Sequence, residues 1–294
     1  MKRHRRLAWI GWGAALALGL LLAAATVTSW RSGGAAATGE RLGVVEVRGF
    51  IGDAAPVLEA LRDFRKDADV KAVVLRVDSP GGLVAPSQEI HDEVKRTAAV
   101  KPVVASMGTL AASGGYYISA PATRIVANPG TATGSIGVVL KFQDVHLLLD
   151  RWGLRGSVVK SGPLKDAGSP FREMTKADKA VFQAIVDDIF AQFVDAVASG
   201  RRMDRAKVLM LADGRVYSGR QALQLGLVDR LGNFWEAVAL AQELGKLKGE
   251  PRLEYRRKKT GSGVLRLVLG EDSSLLQDLE ALSAGPLQYA LPGW

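Results

Sequence analysis

Residues 108–119 read GTLAASGGYYIS, and they set Ser113 between two alanines and two glycines. Small neighbours strip side-chain bulk from the backbone around the hydroxyl. A serine entering a helix from a strand also leaves the following N–H, that of Gly114, free to face an oxyanion. Such a hydroxyl needs a base before it can act as a nucleophile. Close packing alone also selects small residues, so this stretch by itself does not separate the two roles. Two further loops carry suitable residues. In Asp78-Ser79-Pro80-Gly81-Gly82, a rigid proline precedes paired glycines that can turn N–H groups toward a ligand, although ordinary turns share this composition. The run KSGPLKDAGSPFR at 160–172 supplies Lys160 and Lys165 as candidate bases, against a background in which surface lysines are common.

Composition removes several chemistries. The chain has 294 residues and no cysteine, which excludes disulfides, thiolate catalysis and cysteine-ligated metal. Its three histidines, His4, His91 and His146, cannot build a His-rich metal centre, and a histidine-dependent serine protease would have to use His91 or His146. Neither glycine cluster is followed by GKS or GKT, so a phosphate-cradling loop is not expected, and no metal, nucleotide or other cofactor is implied. The net charge of +9 is concentrated: residues 1–6 and residues 252–259 carry +4 each, leaving the remainder nearly neutral. That distribution suits a basic flank and a basic tail, and no nucleic-acid partner is expected.

The elements that must position these loops follow from periodicity. Residues 7–30 form 24 consecutive uncharged positions, with Trp9, Trp12 and Trp30 near the ends. At helical rise this crosses a hydrocarbon layer of roughly 30 Å, and the basic segment 1–6 predicts a cytoplasmic N-terminus with the body outside. A cleaved signal peptide is the alternative, since AAAT follows the apolar run. Residues 31–41 read as a linker. Strand patterns at about 42–48, 71–78, 102–107 and 123–128 alternate with helical stripes at 56–70 and 86–98, which argues for parallel βαβ units and an α/β fold. A strand is expected in VVL (138–140), a helix within 141–153, and another strand over 157–162. A long helix should start at Thr175, capped with Asp178, and stop at Gly200. Shorter helices should begin at Ser218, ending at Gly226, and at Asn233. Beyond Lys246 the pattern weakens to one apolar run, VLRLVLG, and a short helix around SSLLQDLEAL.

Taken together, LRVDSPGG, MGTLAASGGYYISAPATRIVANPGTATGSIGV, KSGPLKDAGSPFREMT and DGRVYSGRQALQLGLVDRLG resemble the signal peptide peptidase A family, of its short bacterial type. The likeness runs from about residue 42 to 243. It implies a ClpP/crotonase-like fold of repeated ββα units, preceded here by the transmembrane helix, with a peptidase domain over 42–245 and residues 246–294 as a tail that could serve oligomerisation. Carried over by motif, the nucleophile falls on Ser113 and the catalytic lysine on Lys165 rather than Lys160. The oxyanion donors fall on Gly81 or Gly82 with Gly114, and a lysine-orienting hydroxyl on Ser135. His91 and His146 are then structural.

What the resemblance implies is a membrane-anchored serine endopeptidase of the inner membrane. Neutral Lys165 takes the Ser113 proton as its oxygen attacks a peptide carbonyl, and burial would have to lower the lysine pKa. The expected partners are remnant signal peptides or other apolar peptides, the lipid bilayer, and further copies of the chain, with residues 176–198 and the tail as contact candidates. One rival keeps the dyad and degrades another membrane protein, such as one of the stomatin type. A second is a crotonase-like hydratase or isomerase, and a third is a tethered scaffold without catalysis.

Overall fold

The computed structural model describes residues 40–256 and 287–290. Eleven strands occur among these residues: β1 (Arg41–Arg48), β2 (Val70–Ser79), β3 (Gly81–Leu83), β4 (Val103–Ala112), β5 (Arg124–Ala127), β6 (Ala132–Gly134), β7 (Val139–Leu140), β8 (Val216–Ser218), β9 (Arg230–Leu231), β10 (Arg252–Tyr255) and β11 (Leu287–Ala290). The helices are α1 (Ala55–Lys66), α2 (Val84–Ala98), α3 (Gly114–Ser119), α4 (His146–Arg151), α5 (Lys176–Arg201), α6 (Arg205–Leu211), α7 (Gly219–Leu225) and α8 (Phe234–Leu244).

One sheet runs in the order β10-β1-β2-β4-β5-β9, with every neighbouring pair parallel. Parallel neighbours need crossovers, and α1, α2 and the segment from α3 to β5 supply them. Side chains alternate strictly between the two faces. Leu42, Val44, Ala72, Val74, Val104 and Val126 face one way and pack with Ala237, Val238 and Ala241 of α8. Val45, Val47, Val73, Leu75, Val77, Val103, Ala105, Met107 and Ile125 face the other and pack with α1, α2, α3 and the end of α5. The strands are apolar on both faces because both are covered. A short branch, β6 on β4 and β8 on β6, pairs along the last three residues of β4. A separate three-stranded sheet has the order β3-β11-β7.

The capping residues act as the sequence implies. Thr175 and Asp178 form a reciprocal box at the start of α5, as do Ser218 with Gln221 and Asn233 with Glu236. Gly226 closes α7 at φ 80.

Several expectations require correction. The order of elements is not a repeated ββα: β1 and β4 each lead directly into a helix, and β3 pairs with β11 rather than with the strand preceding it. The fold is a mixed α/β sheet, without the ClpP/crotonase repeat. Among the described residues no helix is long and apolar enough to cross a membrane. The stretch 7–30 lies outside the described residues, so the transmembrane helix, the inner-membrane single-pass topology and the lipid-bilayer partner have no structural basis and are withdrawn. The runs VLRLVLG and SSLLQDLEAL also lie outside. No strand forms at 157–162; Val159 is 99% exposed and the run has no neighbouring strand to pair with. Helix α5 does not stop at Gly200. That glycine sits inside the helix because a Cβ there would fall 2.4 Å from the Ala120 carbonyl oxygen, and Arg202 in the left-handed region closes the helix instead.

Candidate active site

Ser113 stands at the C-terminal end of β4, where the strand turns directly into α3. Its backbone is held at φ 52 and ψ −117, a region that non-glycine residues avoid and that marks a strained, over-determined position. Two bonds hold it there: its N–H donates to the Gly134 carbonyl oxygen at 2.8 Å, and its own carbonyl accepts from the Tyr117 N–H at 2.8 Å. Ser113 is 1% exposed.

The Gly134 contact continues the β4–β6 ladder, in which Ala112 pairs with Gly134. The next residue, Ser135, is therefore a neighbour of Ser113 at the end of an adjacent strand. It too is buried and has positive φ, 49, with its N–H on the Arg215 carbonyl oxygen at 2.8 Å.

The Asp78–Leu83 loop arrives from the other side. The register of β2 on β4 shifts between Val77 and Ser79, because residues 108–110 bulge, and Asp78 Oδ1 accepts the freed Leu110 N–H at 3.0 Å. Ser79 Oγ accepts the Gly81 N–H at 3.1 Å. Gly81, at φ 107, sends its carbonyl to the Ile51 N–H, and the Leu83 N–H reaches the Ile51 carbonyl, both at 2.9 Å. Alternation along β3 leaves the Gly82 N–H and carbonyl pointing away from Ile51.

Two glycines permit this closeness. A Cβ on Gly82 would lie 2.2 Å from the Ile51 carbonyl oxygen. One on Gly114 would lie 2.8 Å from Ser87 Oγ and 3.1 Å from both Gly81 Cα and Gly82 N. The Gly82 and Gly114 backbones therefore meet next to Ser113, the residue that precedes Gly114. Of the two glycines in the turn, Gly81 has its N–H committed to Ser79, whereas that of Gly82 points away from Ile51, toward Tyr289 of β11.

The lysines lie elsewhere. Lys160 Nζ is held by Asp166 Oδ1 at 2.6 Å and by the Pro163 carbonyl. Lys165 sits in an exposed turn and forms no ion pair among the described residues. Arg172 ties this loop to the start of α5 by pairing with both Asp166 and Asp178. Its guanidinium is the main reason both carboxyls titrate below the usual carboxylate range. No hydrogen bond joins Lys165 to Ser113 or Ser135 among the described residues. The sequence-named groups thus separate into one cluster, Ser113, Gly81, Gly82, Gly114 and Ser135, and one outlying residue, Lys165.

Of the histidines, His91 is buried on α2 with its ring 4.7 Å from that of Tyr117, which in turn meets Phe193 edge-on at 4.9 Å. Burial lowers its pKa, against the opposing effect of a hydrogen bond to the Asp92 carboxylate. His146 opens α4, which buries no residue, and pairs with Asp144, which raises its pKa. Sequence reading gave no role to Ser79, whose Oγ accepts the Gly81 N–H, or to Ser87, whose Oγ donates to the Leu83 carbonyl, and it missed β11. Ser79 could have been found from its place beside Pro80. Among the described residues no group of three His, Asp or Glu gathers as metal ligands would.

A buried serine next to two closely packed glycine backbones is suited to acyl transfer, in which the hydroxyl attacks a carbonyl and backbone N–H groups receive its oxygen.

Comparison with known proteins points the same way. The model of Peptidase family S49 matches residues 95–248. A candidate protease of Synechocystis sp. is 41% identical over 240 residues, covering 81% of this chain and 86% of that protein. A candidate signal peptide peptidase of Enterococcus faecium is 39% identical over 205 residues, covering 69% of this chain and 60% of its own length. Among solved structures, a mutant of the 1510-N membrane-bound stomatin-specific protease aligns with TM-score 0.50 at 14% identity, over 74% of this chain and 98% of that one, a likeness of fold alone.

Proposed function

Since the chain belongs to Peptidase family S49 and is a serine endopeptidase, we propose that Ser113 is its nucleophile, Lys165 its general base, and remnant signal peptides or similar apolar peptides its substrates. The observation that carries this reading is the strained, buried Ser113 set against the Gly82 and Gly114 backbones. Gly82 rather than Gly81 partners Gly114 in the oxyanion site, because the Gly81 N–H is already bonded to Ser79. Ser135, which follows the residue bonded to the Ser113 N–H, is the hydroxyl we assign to orienting the lysine amine. Lys165 is preferred over Lys160 because the Lys160 ammonium is already engaged by Asp166 Oδ1 and the Pro163 carbonyl, whereas a base must be free to reach the Ser113 hydroxyl.

The dyad reading requires the 157–172 segment to reach Ser113 in the assembled protein. Leu154, Val158, Val159, Leu164 and Phe171 are exposed in and around this segment, apolar surface suited to contact with further copies of the chain. In the reaction, the Ser113 oxygen bonds to the scissile carbonyl carbon as its proton passes to Lys165. The leaving amine takes that proton, and water then releases the acyl group by the same route.

The substrate class rests on the Enterococcus faecium relative. The test is covalent: a fluorophosphonate probe should modify Ser113, identified by mass spectrometry of the 102–123 region. Labelling confined to other serines would reject the assignment.

A further inference from the structure

Helix α5 ends at a cleft that the catalytic residues do not use. Along α2, His91, Lys95 and Ala98 fall on one face at helical spacing and form its first wall. Asp195 and Ser199 on α5, with Arg202 at its C-cap, form the second by the same spacing. The connection from α3 to β5, residues 121–124, is the third. Gly200 lets α5 close on that connection, because a Cβ there would strike the Ala120 carbonyl oxygen. The space enclosed is about 520 Å³, the size of a small-molecule site. It lies past the C-terminal end of α3, whose other end carries Ser113.

The lining is basic. Lys95, Arg124, Arg201 and Arg202 face only two carboxylates, Asp195 and Asp229, an excess of two positive charges. Both carboxylates are already engaged. Asp195 Oδ1 accepts from Arg205 Nε at 2.6 Å. Asp229 accepts the Ile125 N–H at 2.7 Å and pairs with Arg201 Nη2 at 2.8 Å. Lys95, Arg124 and Arg202 form no ion pair among the described residues. The Arg201 side chain is only 6% exposed, yet its Nε is buried and has no hydrogen-bond partner among the described residues. Leaving a buried guanidinium donor unpaired is costly, and folded proteins rarely do so without a ligand, ion or water to complete it. Basic residues at the end of α5 also complement its dipole. An exposed cation suffices for that role, which requires neither the burial of Arg201 nor an unpaired Nε.

We infer that this cleft binds a small phosphate dianion. Two negative charges balance the excess on the lining, and a single carboxylate would balance half of it. Guanidinium forks match the oxygens of a phosphoryl group in pairs. Arg201 supplies the inner contact, and Lys95, Arg124 and Arg202 supply the rim. The volume leaves room for an organic group on the phosphate, so inorganic phosphate and a small phosphate monoester share the required chemistry. The inference does not rest on the Ser113 assignment, and none of these side chains belongs to the catalytic cluster.

The test is isothermal titration calorimetry on the full chain at pH 8, where phosphate is dianionic. Inorganic phosphate and glycerol 3-phosphate are separate titrants, and sodium chloride at matched ionic strength is the control. Saturable binding with a Kd below about 1 mM is expected for at least one phosphate, with only dilution heat from chloride. Tighter binding of glycerol 3-phosphate would identify the ester as the better fit, and equal binding the phosphate group alone; both support the site. Lys95 and Arg202 are exposed, so Lys95→Gln/Arg202→Gln should fold normally and weaken binding at least about tenfold. Lys95→Arg/Arg202→Lys keeps both charges and should retain it. Arg201→Lys deletes the buried Nε and should weaken binding further; if that variant does not fold, the exposed pair decides alone. Heats that do not saturate with either phosphate, or an affinity unchanged in Lys95→Gln/Arg202→Gln, would overturn the proposal.

Discussion

The Ser113 N–H donates to the carbonyl oxygen of Gly134 at 2.8 Å, and this bond sets Ser135 beside the proposed nucleophile. Both serines are buried at positive φ, at the ends of neighbouring parallel strands. Replacing Ser135 by glycine keeps that backbone conformation accessible and removes only the hydroxyl. Ser135→Gly should lower kcat about tenfold with little change in KM, the size expected for losing one orienting contact to a catalytic base. Steady-state kinetics with unchanged circular dichroism would check it; unaltered kcat would remove Ser135 from the site.

The glycine backbones beside Ser113 should be intolerant of a methyl group. In Gly114→Ala the new carbon would sit 3.1 Å from Gly82 N, forcing apart the two proposed oxyanion donors. A loss of about 10²–10³ in kcat is expected, comparable with deletion of one oxyanion donor. In Gly82→Ala the carbon would meet the Ile51 carbonyl oxygen at 2.2 Å, so that variant should also unfold at lower temperature. Thermal melts alongside kinetics separate the two effects.

His91 makes stability depend on pH. Burial lowers its folded pKa beneath the unfolded value of 6.5, so the unfolded chain binds the proton first as pH falls. Stability attributable to His91 is thus full above 6.5 and is lost as pH drops from there through the folded pKa. Asp92, its hydrogen-bond partner, opposes the shift without reversing it. A His91→Gln variant should lose less of its melting temperature than the wild type between pH 7.5 and 5.5. Equal losses would mean that His91 does not drive the acid sensitivity.

Lys101 stabilises the end of α1 from a distance in sequence. Its ammonium donates to the carbonyls of Phe64, Asp67 and Val70 at 2.7, 2.8 and 2.7 Å, gathering the chain as it leaves the helix and enters β2. Lys101→Met strands these acceptors and should cost about 2 kcal/mol in urea unfolding. Activity at temperatures below the transition should be unaffected, since Lys101 is remote from Ser113 in the sheet.

How much of this was legible in the sequence differs by element. The central strands were readable because both faces are covered, giving near-continuous apolar runs such as VKAVVLRV, and the capping boxes at Thr175, Ser218 and Asn233 announced their helices. The SPGG and AASGG motifs named residues that do converge, because each lies at the end of a central strand. Where alternation was read without regard to a partner, it failed: Val158 and Val159 look like strand residues but have no neighbouring edge. Gly200 looked like a helix stop, yet its missing side chain serves a helix-to-backbone contact with Ala120. Strand β11 could not be foreseen, since its pairing comes from two distant edges rather than from its own composition. The apolar run at 7–30 carried an expectation of a membrane anchor that no described helix supports.

The most direct measurement compares hydrolysis of a synthetic signal peptide by the wild-type chain, Ser113→Ala and Lys165→Ala across pH 6–10. The wild type should cleave the peptide, and either variant should lose about 10³ or more in kcat with the fold intact. Cleavage that survives both substitutions would contradict the Ser113–Lys165 assignment.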